Sequence, residues 1–584
     1  MTNGKKIEIY DVNESFTHIK INGNLEYGKI IIDTLSVYEE GYQFSPLFRQ
    51  HLWNGKKEFF KILDNQIFEI PKGLVAYIEK DLISRNMEYS YKKIKYEDSV
   101  TSNVSKEKFN EFVKSLNTPF MPYDYQEQAA LDMVNGKRMV LRSATSSGKS
   151  FICYLFVRFM LQNQRNTLIV VPSIGLVTQM AKDFEDYGWS DVTDFMKQIG
   201  GEFKGSKDLS EKPVVLSTWQ SLQYMKKKEF DIFECIVVDE GHKVRGDVLK
   251  TITDNAINAS WKIGMTGTIP KVRVDKLQLL GTLGPVKNVI NAKGLIDRGL
   301  ATDVDINCIF LKHSKSAVET FYRNHKNKPK YPDEEKYLGT DILRNDKVSR
   351  MLMGIAKKGN TIGLFTKTAH GELILKNVIK YRTGNANFDL LHKFTPKPLK
   401  EAYTEFQKDP EKLFYVNKKL QLSDRKKLIT NMSKIALDEK DRDAFIQNVK
   451  SLDDLNIFFY NGAVDAETRE YIRQKLEIIE TEHEEPAIVV ANMAVMSTGI
   501  SIKNLHNVVL LSSTKAFTTI VQIIGRLLRL HDSKAKAHLY DIIDDVSKVN
   551  PRSVKENYVL KHFFQRLEYY RDEGYNIKEK EIIL

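Results

Sequence analysis

Cysteine is scarce in this chain: three in 584 residues. Cys153, Cys235 and Cys308 are odd in number, far apart and set in apolar runs, so neither a disulfide framework nor a zinc site is indicated, and all three read as core. Long apolar runs are missing too. None approaches the roughly 18 residues of a membrane-spanning helix, and Met1-Thr2-Asn3-Gly4-Lys5-Lys6 leads into polar sequence without a signal-peptide core. These absences exclude a membrane enzyme and predict a cytoplasmic chain. Acidic excess is lacking as well: 88 Lys and Arg face 76 Asp and Glu, a net charge of +12 that favours polyanions such as nucleic acid. No nuclease-like cluster stands out. The length predicts three or four domains at roughly 100–200 residues each.

What is present begins with Ser143-Ala144-Thr145-Ser146-Ser147-Gly148-Lys149-Ser150, which follows the apolar run Met139 to Leu141. It departs from G-x-x-x-x-G-K-[ST] only in Ser143, at the first glycine position. A loop of this kind opens a helix, here from about Lys149 to Leu161. Backbone N–H groups around Ser146, Ser147 and Gly148 suit phosphates, Lys149 reaches the β- and γ-phosphates, and the Ser150 hydroxyl meets Mg²⁺. Asp239-Glu240-Gly241-His242 follows a second apolar run, Cys235 to Val238. Asp239 would complete the metal shell and Glu240 would position the attacking water. The pair predicts a nucleoside triphosphatase that uses ATP and Mg²⁺.

From Phe120 to about Leu300 strand-like runs (Thr167 to Val171, Val214 to Leu216, Cys235 to Val238, Ile263 to Met265) alternate with helical stretches, the pattern of a doubly wound α/β lobe. After a short helix, Ala292 to Gly299, a second series begins: Ile362 to Phe365, Ile457 to Phe459, Ile488 to Val490, Val508 to Leu511 and Leu539 to Ile543. It carries no P-loop. Two tandem parallel-sheet lobes with one P-loop put ATP in the cleft between them. The expected domains are therefore residues 1–115, a small N-terminal α/β domain; 116–300, lobe 1; 301–550, lobe 2; and 551–584, a helical tail with the stripe Leu560, Phe563, Phe564, Leu567. Residues from about 383 to 455 hold 14 Lys/Arg and 12 Asp/Glu and read as a near-neutral helical insertion. In the N-terminal domain, Gly41-Tyr42-Gln43-Phe44 through Trp53-Asn54-Gly55-Lys56-Lys57 mixes aromatic and basic residues. It fits nucleic-acid contact or a small core with a lysine-rich turn equally well.

In the second series Ser497-Thr498-Gly499-Ile500-Ser501 follows the strand at Ile488 to Val490, and Gln522 to Arg529 fits Q-x-x-G-R-x-x-R. On one helix Gln522, Arg526 and Arg529 would face one cleft. With the earlier motifs, this set resembles the superfamily 2 helicases over roughly residues 120–550. The resemblance implies RecA-like lobes and several roles. Gln126, after Tyr125, would read adenine. Pro172-Ser173, Thr218-Trp219, Thr366, Ser497 and Thr498 would contact nucleic acid, and Gly499 nucleotide. Thr266-Gly267-Thr268 would couple hydrolysis to lobe movement, and His242 would link the site to lobe 2. Arg526 or Arg529 would be the arginine finger, with Gln522 beside them. Gln522 and His242 argue against the D-E-A-D class.

Ser497 to His506, the Gln522 to Arg529 helix, Thr218-Trp219-Gln220 and the Gly41 to Gly55 segment more narrowly resemble the UvsW recombination helicase family of tailed bacteriophages. That implies action on branched DNA and RNA–DNA hybrids: branch migration, fork regression, R-loop unwinding and strand annealing in recombination, repair and replication. It also implies recombination or single-strand-binding proteins as partners, and the host cytoplasm as location. Two other readings stay open: a double-strand DNA translocase that does not separate strands, and an ATP-switched strand-annealing protein.

Overall fold

The computed structural model describes residues 6–93, 103–200, 208–245, 247–383, 456–461, 466–479, 485–496, 502–514, 517–550 and 553–584. The expected insertion, from residue 384 on, lies outside them. The chain forms two compact units, Met1–Ile290 and Asn291–Leu584.

The first unit is built on a seven-stranded, all-parallel sheet. Its order is Met196–Ile199, Val214–Thr218, Thr167–Val171, Cys235–Asp239, Trp261–Thr266, Arg138–Ser143, Val286–Ile290. The interior strands Thr167–Val171 and Val214–Thr218 are buried at every residue. That is why they read as unbroken apolar runs. The two edge strands were not anticipated: Val286–Ile290 is half-exposed and carries Lys287 and Asn288, so no apolar run marks it. Parallel pairing sends every strand's C-terminal end to one rim, where Ser143, Val171, Thr218, Asp239 and Thr266 emerge.

Residues 1–115, which read from the sequence as a domain of their own, contribute a five-stranded mixed sheet in the order Lys61–Asp64, Ile67–Pro71, Phe16–Lys20, Ile7–Asp11, Tyr89–Lys92. Its hydrophobic core is closed by Val274 and Leu277 from the lobe helix Arg273–Leu283. Contact is close enough that a Cβ on Gly73 would lie 2.1 Å from the Leu280 carbonyl oxygen. Buried cations complete the join at the N-terminal ends of the lobe strands. Arg138 donates to the carbonyls of Glu14 and Thr282, and Lys262 donates to Ser15 Oγ at 2.7 Å and the Thr253 carbonyl at 2.6 Å. Lys72 pairs with Asp11 and Glu14 at 3.0 and 2.9 Å. Removing one partner here would leave buried charge unmatched.

The second unit repeats the plan. Its parallel sheet runs Ile457–Tyr460, Ile488–Asn492, Thr361–Phe365, Asn507–Leu510, Lys536–Asp545, Asp303–Lys312, Asn576–Ile583. The tail is thus a helix, Tyr558–Asp572, followed by an edge strand. The helix's buried face is rotated from the expected stripe: Val559, His562, Phe563, Arg566, Leu567 and Tyr570 are inward and Phe564 is 43% exposed. Arg566 takes a core position because Asp541 on the adjacent strand meets it with two hydrogen bonds of 2.8 Å, which outweigh burial and raise its pKa further. No helix among the described residues is long and apolar enough to cross a membrane. All three cysteines are buried.

Candidate active site

Ser143 ends its strand, 1% exposed, and donates from Oγ to Ser147 Oγ at 2.7 Å. A serine is tolerated at this first glycine position because left-handed backbone is needed later, at Ser146 (φ 66°) and Gly148 (φ 77°). Gly148 is required for a second reason. A Cβ there would sit 2.3 Å from Gln126 Nε2. Gln126 is 6% exposed; its Oε1 accepts from the Tyr123 N–H at 3.0 Å and its Nε2 donates to the Ser147 carbonyl at 2.9 Å. Tyr125 donates to the same carbonyl at 2.8 Å. Gln126 therefore braces the phosphate loop from beneath, a task the motif did not announce.

The helix Lys149–Gln162 starts at the loop, as expected. Lys149 folds back so that Nζ donates to the carbonyls of Ser143 and Ala144 at 3.2 and 3.1 Å, and the Ser150 hydroxyl meets Tyr187 OH at 2.7 Å. Tyr187 follows the helix Ile174–Asp186, and no sequence pattern flagged it.

Asp239 and Glu240 lie at the same rim. Burial, then the Glu240 carboxylate, pushes the Asp239 pKa up. Glu240 feels the same burial, but the His242 hydrogen bond and charge, with Lys149 and Lys243, outweigh it and hold the acid well below its usual value. These mutual charge effects tie Lys149, Asp239, Glu240 and His242 into one cluster. Glu240 has φ 52°, an uncommon backbone for a side chain that aims it into the site. His242 Nδ1 lies 3.2 Å from Glu240 Oε2 and 2.9 Å from Thr266 Oγ1. Thr266 gives its own proton to the Thr268 carbonyl at 2.9 Å and accepts from the Thr268 N–H at 3.2 Å. Nδ1 must therefore carry the proton. One imidazole joins the Glu240 carboxylate to the Thr266-Gly267-Thr268 turn.

The candidate strand-contact loops emerge side by side, since Thr218 pairs with Val171. Ser173 is exposed and its side chain makes no cap bond. Thr218 is 2% exposed, accepts from the Ser221 N–H and caps the helix Trp219–Leu222, while Trp219 packs against the core. Pro172 and Ser173 are therefore the more accessible pair.

In the second unit Thr366 donates to Glu335 Oε1 at 2.8 Å, and its N–H donates to Ser512 Oγ at 3.3 Å. The helix carrying Gln522 and Arg526 is Phe517–Leu527 and ends before Arg529. Arg529 therefore does not extend the helical row; its carbonyl accepts from Thr302 Oγ1 at 2.8 Å. Arg526 is 8% exposed, and its Nη1 is buried without a hydrogen-bond partner among the described residues. Burial, then Arg529, lowers its pKa to about 10. Lys534 joins the two arginines; burial and Arg529 bring it to about 8. No motif marked Lys534. Ser497, Thr498 and Gly499 lie outside the described residues.

Known proteins resemble this chain. The family described as type III restriction enzyme, res subunit, matches residues 119–271. The ATP-dependent DNA helicase UvsW of Enterobacteria phage T4 is 29% identical over 595 aligned residues, 99% of each chain. A crystal structure of T4 UvsW is 25% identical over 99% of this chain and 100% of that one, with a TM-score of 0.42. A DNA-bound type ISP restriction-modification enzyme, LlaBIII, shares the fold over 86% of this chain and 34% of its own length, at 13% identity and a TM-score of 0.51. Since the identity to UvsW runs the length of both chains and the motor residues emerge where parallel strands deliver them, the chain is an ATP-dependent superfamily 2 helicase related to UvsW.

Proposed function

We propose that this helicase acts on branched DNA and RNA–DNA hybrids, driving branch migration, fork regression and R-loop unwinding. The supporting observation is full-length identity to a DNA helicase combined with the linked cluster of Lys149, Asp239, Glu240 and His242. In this reading Lys149 leaves the carbonyls of Ser143 and Ala144 for the β- and γ-phosphates, and Glu240 orients water. Gln126 keeps the loop in shape and meets adenine with its remaining hydrogen-bonding capacity. Arg526 is the finger and Arg529 a supporting cation.

Asp239 and Ser150 would hold Mg²⁺. The donor set fits: a carboxylate whose charge is disfavoured by burial gains from a cation, and Mg²⁺ in such sites takes one or two protein oxygens with phosphates and water. Bound there, the ion would neutralise charge developing on the phosphates. Pro172, Ser173, Thr218, Trp219, Thr366, Ser497 and Thr498 would hold a strand's backbone, and residues 1–115 would add duplex or branch binding.

The family match to a restriction enzyme subunit favours one second reading, a duplex translocase without strand separation. ATP turnover measured against single strand, blunt duplex, fork, four-way junction and RNA–DNA hybrid, with unwinding read in parallel, decides. Stimulation by fork, junction and hybrid with strand release supports the helicase reading. Equal stimulation by blunt duplex with no strand released supports translocation.

A further inference from the structure

The segment leading from Thr218 to the strand Cys235–Asp239 holds an aromatic side chain and three cations that none of the motor motifs uses. It is anchored on both sides. Leu222 and Phe230 are each 1% exposed in the lobe core and Met225 packs against it. The backbone is tied down by Met225 N–H to Leu222 O at 3.0 Å and Glu229 N–H to Lys226 O at 3.0 Å. Between the anchors Tyr224 is 81% exposed, more than any other large hydrophobic side chain among the described residues. Lys226, Lys227 and Lys228 are exposed beside it, and none of their ammonium groups is ion-paired among the described residues. The one acid in the run leaves it net positive, and the Glu229 carboxylate accepts from the Lys226 backbone N–H.

A lysine run alone is usually a solvated face. Here the turn that carries it is fixed, and the same turn holds a ring out in water instead of folding it in. An aromatic face beside several cations matches one ligand chemistry: bases stack on rings with little regard to sequence, and ammonium groups neutralise phosphates. The position agrees, because the segment leaves the strand that ends in Thr218 and so continues from a candidate strand-contact loop.

We propose that Tyr224 with Lys226, Lys227 and Lys228 is an accessory site for unpaired nucleic acid on the first lobe. The ring stacks on a base, and the three lysines hold the phosphates around it. The proposal rests on the reading that this chain acts on nucleic acid.

The test uses the full chain and a fluorescent 20-nucleotide oligothymidylate, with anisotropy read across a salt series. Lys226→Ala with Lys227→Ala and Lys228→Ala should weaken binding and flatten the log–log salt slope by about two, at about 0.7 per phosphate contact on single strands. Tyr224→Ala should weaken binding about 5- to 150-fold, and Tyr224→Phe, which keeps the ring, should bind as the parent does. Basal ATP turnover without nucleic acid should be unchanged in all three variants. Parent-like affinity and slope in the triple variant would overturn the site, as would a Tyr224→Phe defect as large as that of Tyr224→Ala. If the parent chain bound neither this single strand nor a four-way junction carrying the same label, the functional reading itself would fail, which is a different result from variants that match a binding parent.

Discussion

The two seven-stranded sheets share a plan and hold their charges in opposite ways. In the first, Lys149 lies on loop carbonyls, Ser150 on Tyr187 and Glu240 on His242, so the nucleotide residues have partners within their own lobe. In the second, Arg526, Arg529 and Lys534 lie in low-dielectric surroundings: burial lowers the pKa of each, and the Arg529 charge lowers those of Arg526 and Lys534 further, while Glu477 opposes the shift at Arg529 and Lys534. A self-satisfied loop keeps its shape with nothing bound and exchanges one set of partners for another when phosphate arrives. A buried cluster of like charge is costly until an anion meets it. In the proposed mechanism the binding determinants sit in lobe 1, and lobe 2 supplies charge suited to the anionic transition state.

The largest expected effect tests that division. Arg526→Ala should lower kcat about 10³- to 10⁵-fold, as arginine fingers do in related phosphoryl transfers, with ATP affinity changed far less. Arg529→Ala should cost less, because that residue lies past the helix end. A larger loss at Arg529 would reverse the finger assignment, and a loss confined to ATP affinity would remove it from both.

On the lobe 1 side, Glu240→Gln keeps the shape while removing the charge that orients water. Turnover should fall about 10²- to 10⁴-fold, with equilibrium binding of ATP retained because Lys149 and the loop amides are untouched. Near-normal turnover would sink the assignment of Glu240.

A third effect, on stability, bears directly on the cationic cluster. Lys534 has a depressed pKa of about 8 in the folded chain, from burial and then Arg529, with Nζ donating to the carbonyls of Lys503 and Leu527. Between about 8 and the ordinary lysine value the unfolded chain binds more protons than the folded one, so this group's contribution to stability rises with pH across that window. Thermal midpoints recorded from pH 7.5 to 10 should climb more in the parent than in Lys534→Met. Parallel profiles would mean that the lysine is well solvated and the cluster less costly than drawn.

Much of this contrast was legible in the sequence, and where it was not the reason is physical. Interior parallel strands are buried on both faces, so Thr167–Val171 and Thr361–Phe365 announced themselves as apolar runs. Edge strands such as Asn576–Ile583 pair on one side and carry alternating Lys and Glu, a pattern indistinguishable from solvated tail. The loop, the carboxylates and the arginines stood out in the sequence because their residue types and spacing are those that nucleotide chemistry asks for. Tyr187 and Lys534 were not, since each meets its partner only through tertiary packing. Residues 1–115 read as a separate mixed α/β domain because they precede the first lobe; that Val274 and Leu277 complete their core is a long-range fact with no local trace.

The smallest expected effect concerns how the lobe 1 site reports its state. Thr266 is fully buried and stands between His242 and the Thr268 turn. Thr266→Val keeps the shape and removes the hydroxyl, so the imidazole proton retains Glu240 as its only acceptor of the two. Glu240 stays oriented, and ATP turnover should stay within about tenfold of the parent. The link onward is cut, so strand separation per ATP should fall further than turnover does. Stability should drop by about 1–3 kcal/mol, because the Thr268 carbonyl and N–H lose their buried partner. Thr268→Val is the control: that residue enters the network through backbone atoms alone, so its side-chain hydroxyl should be dispensable. The measurement is base pairs unwound per ATP hydrolysed on a forked duplex. An equal fall in both rates for Thr266→Val, or a Thr268→Val variant as uncoupled as Thr266→Val, would show that the imidazole bridge serves folding and carries no signal.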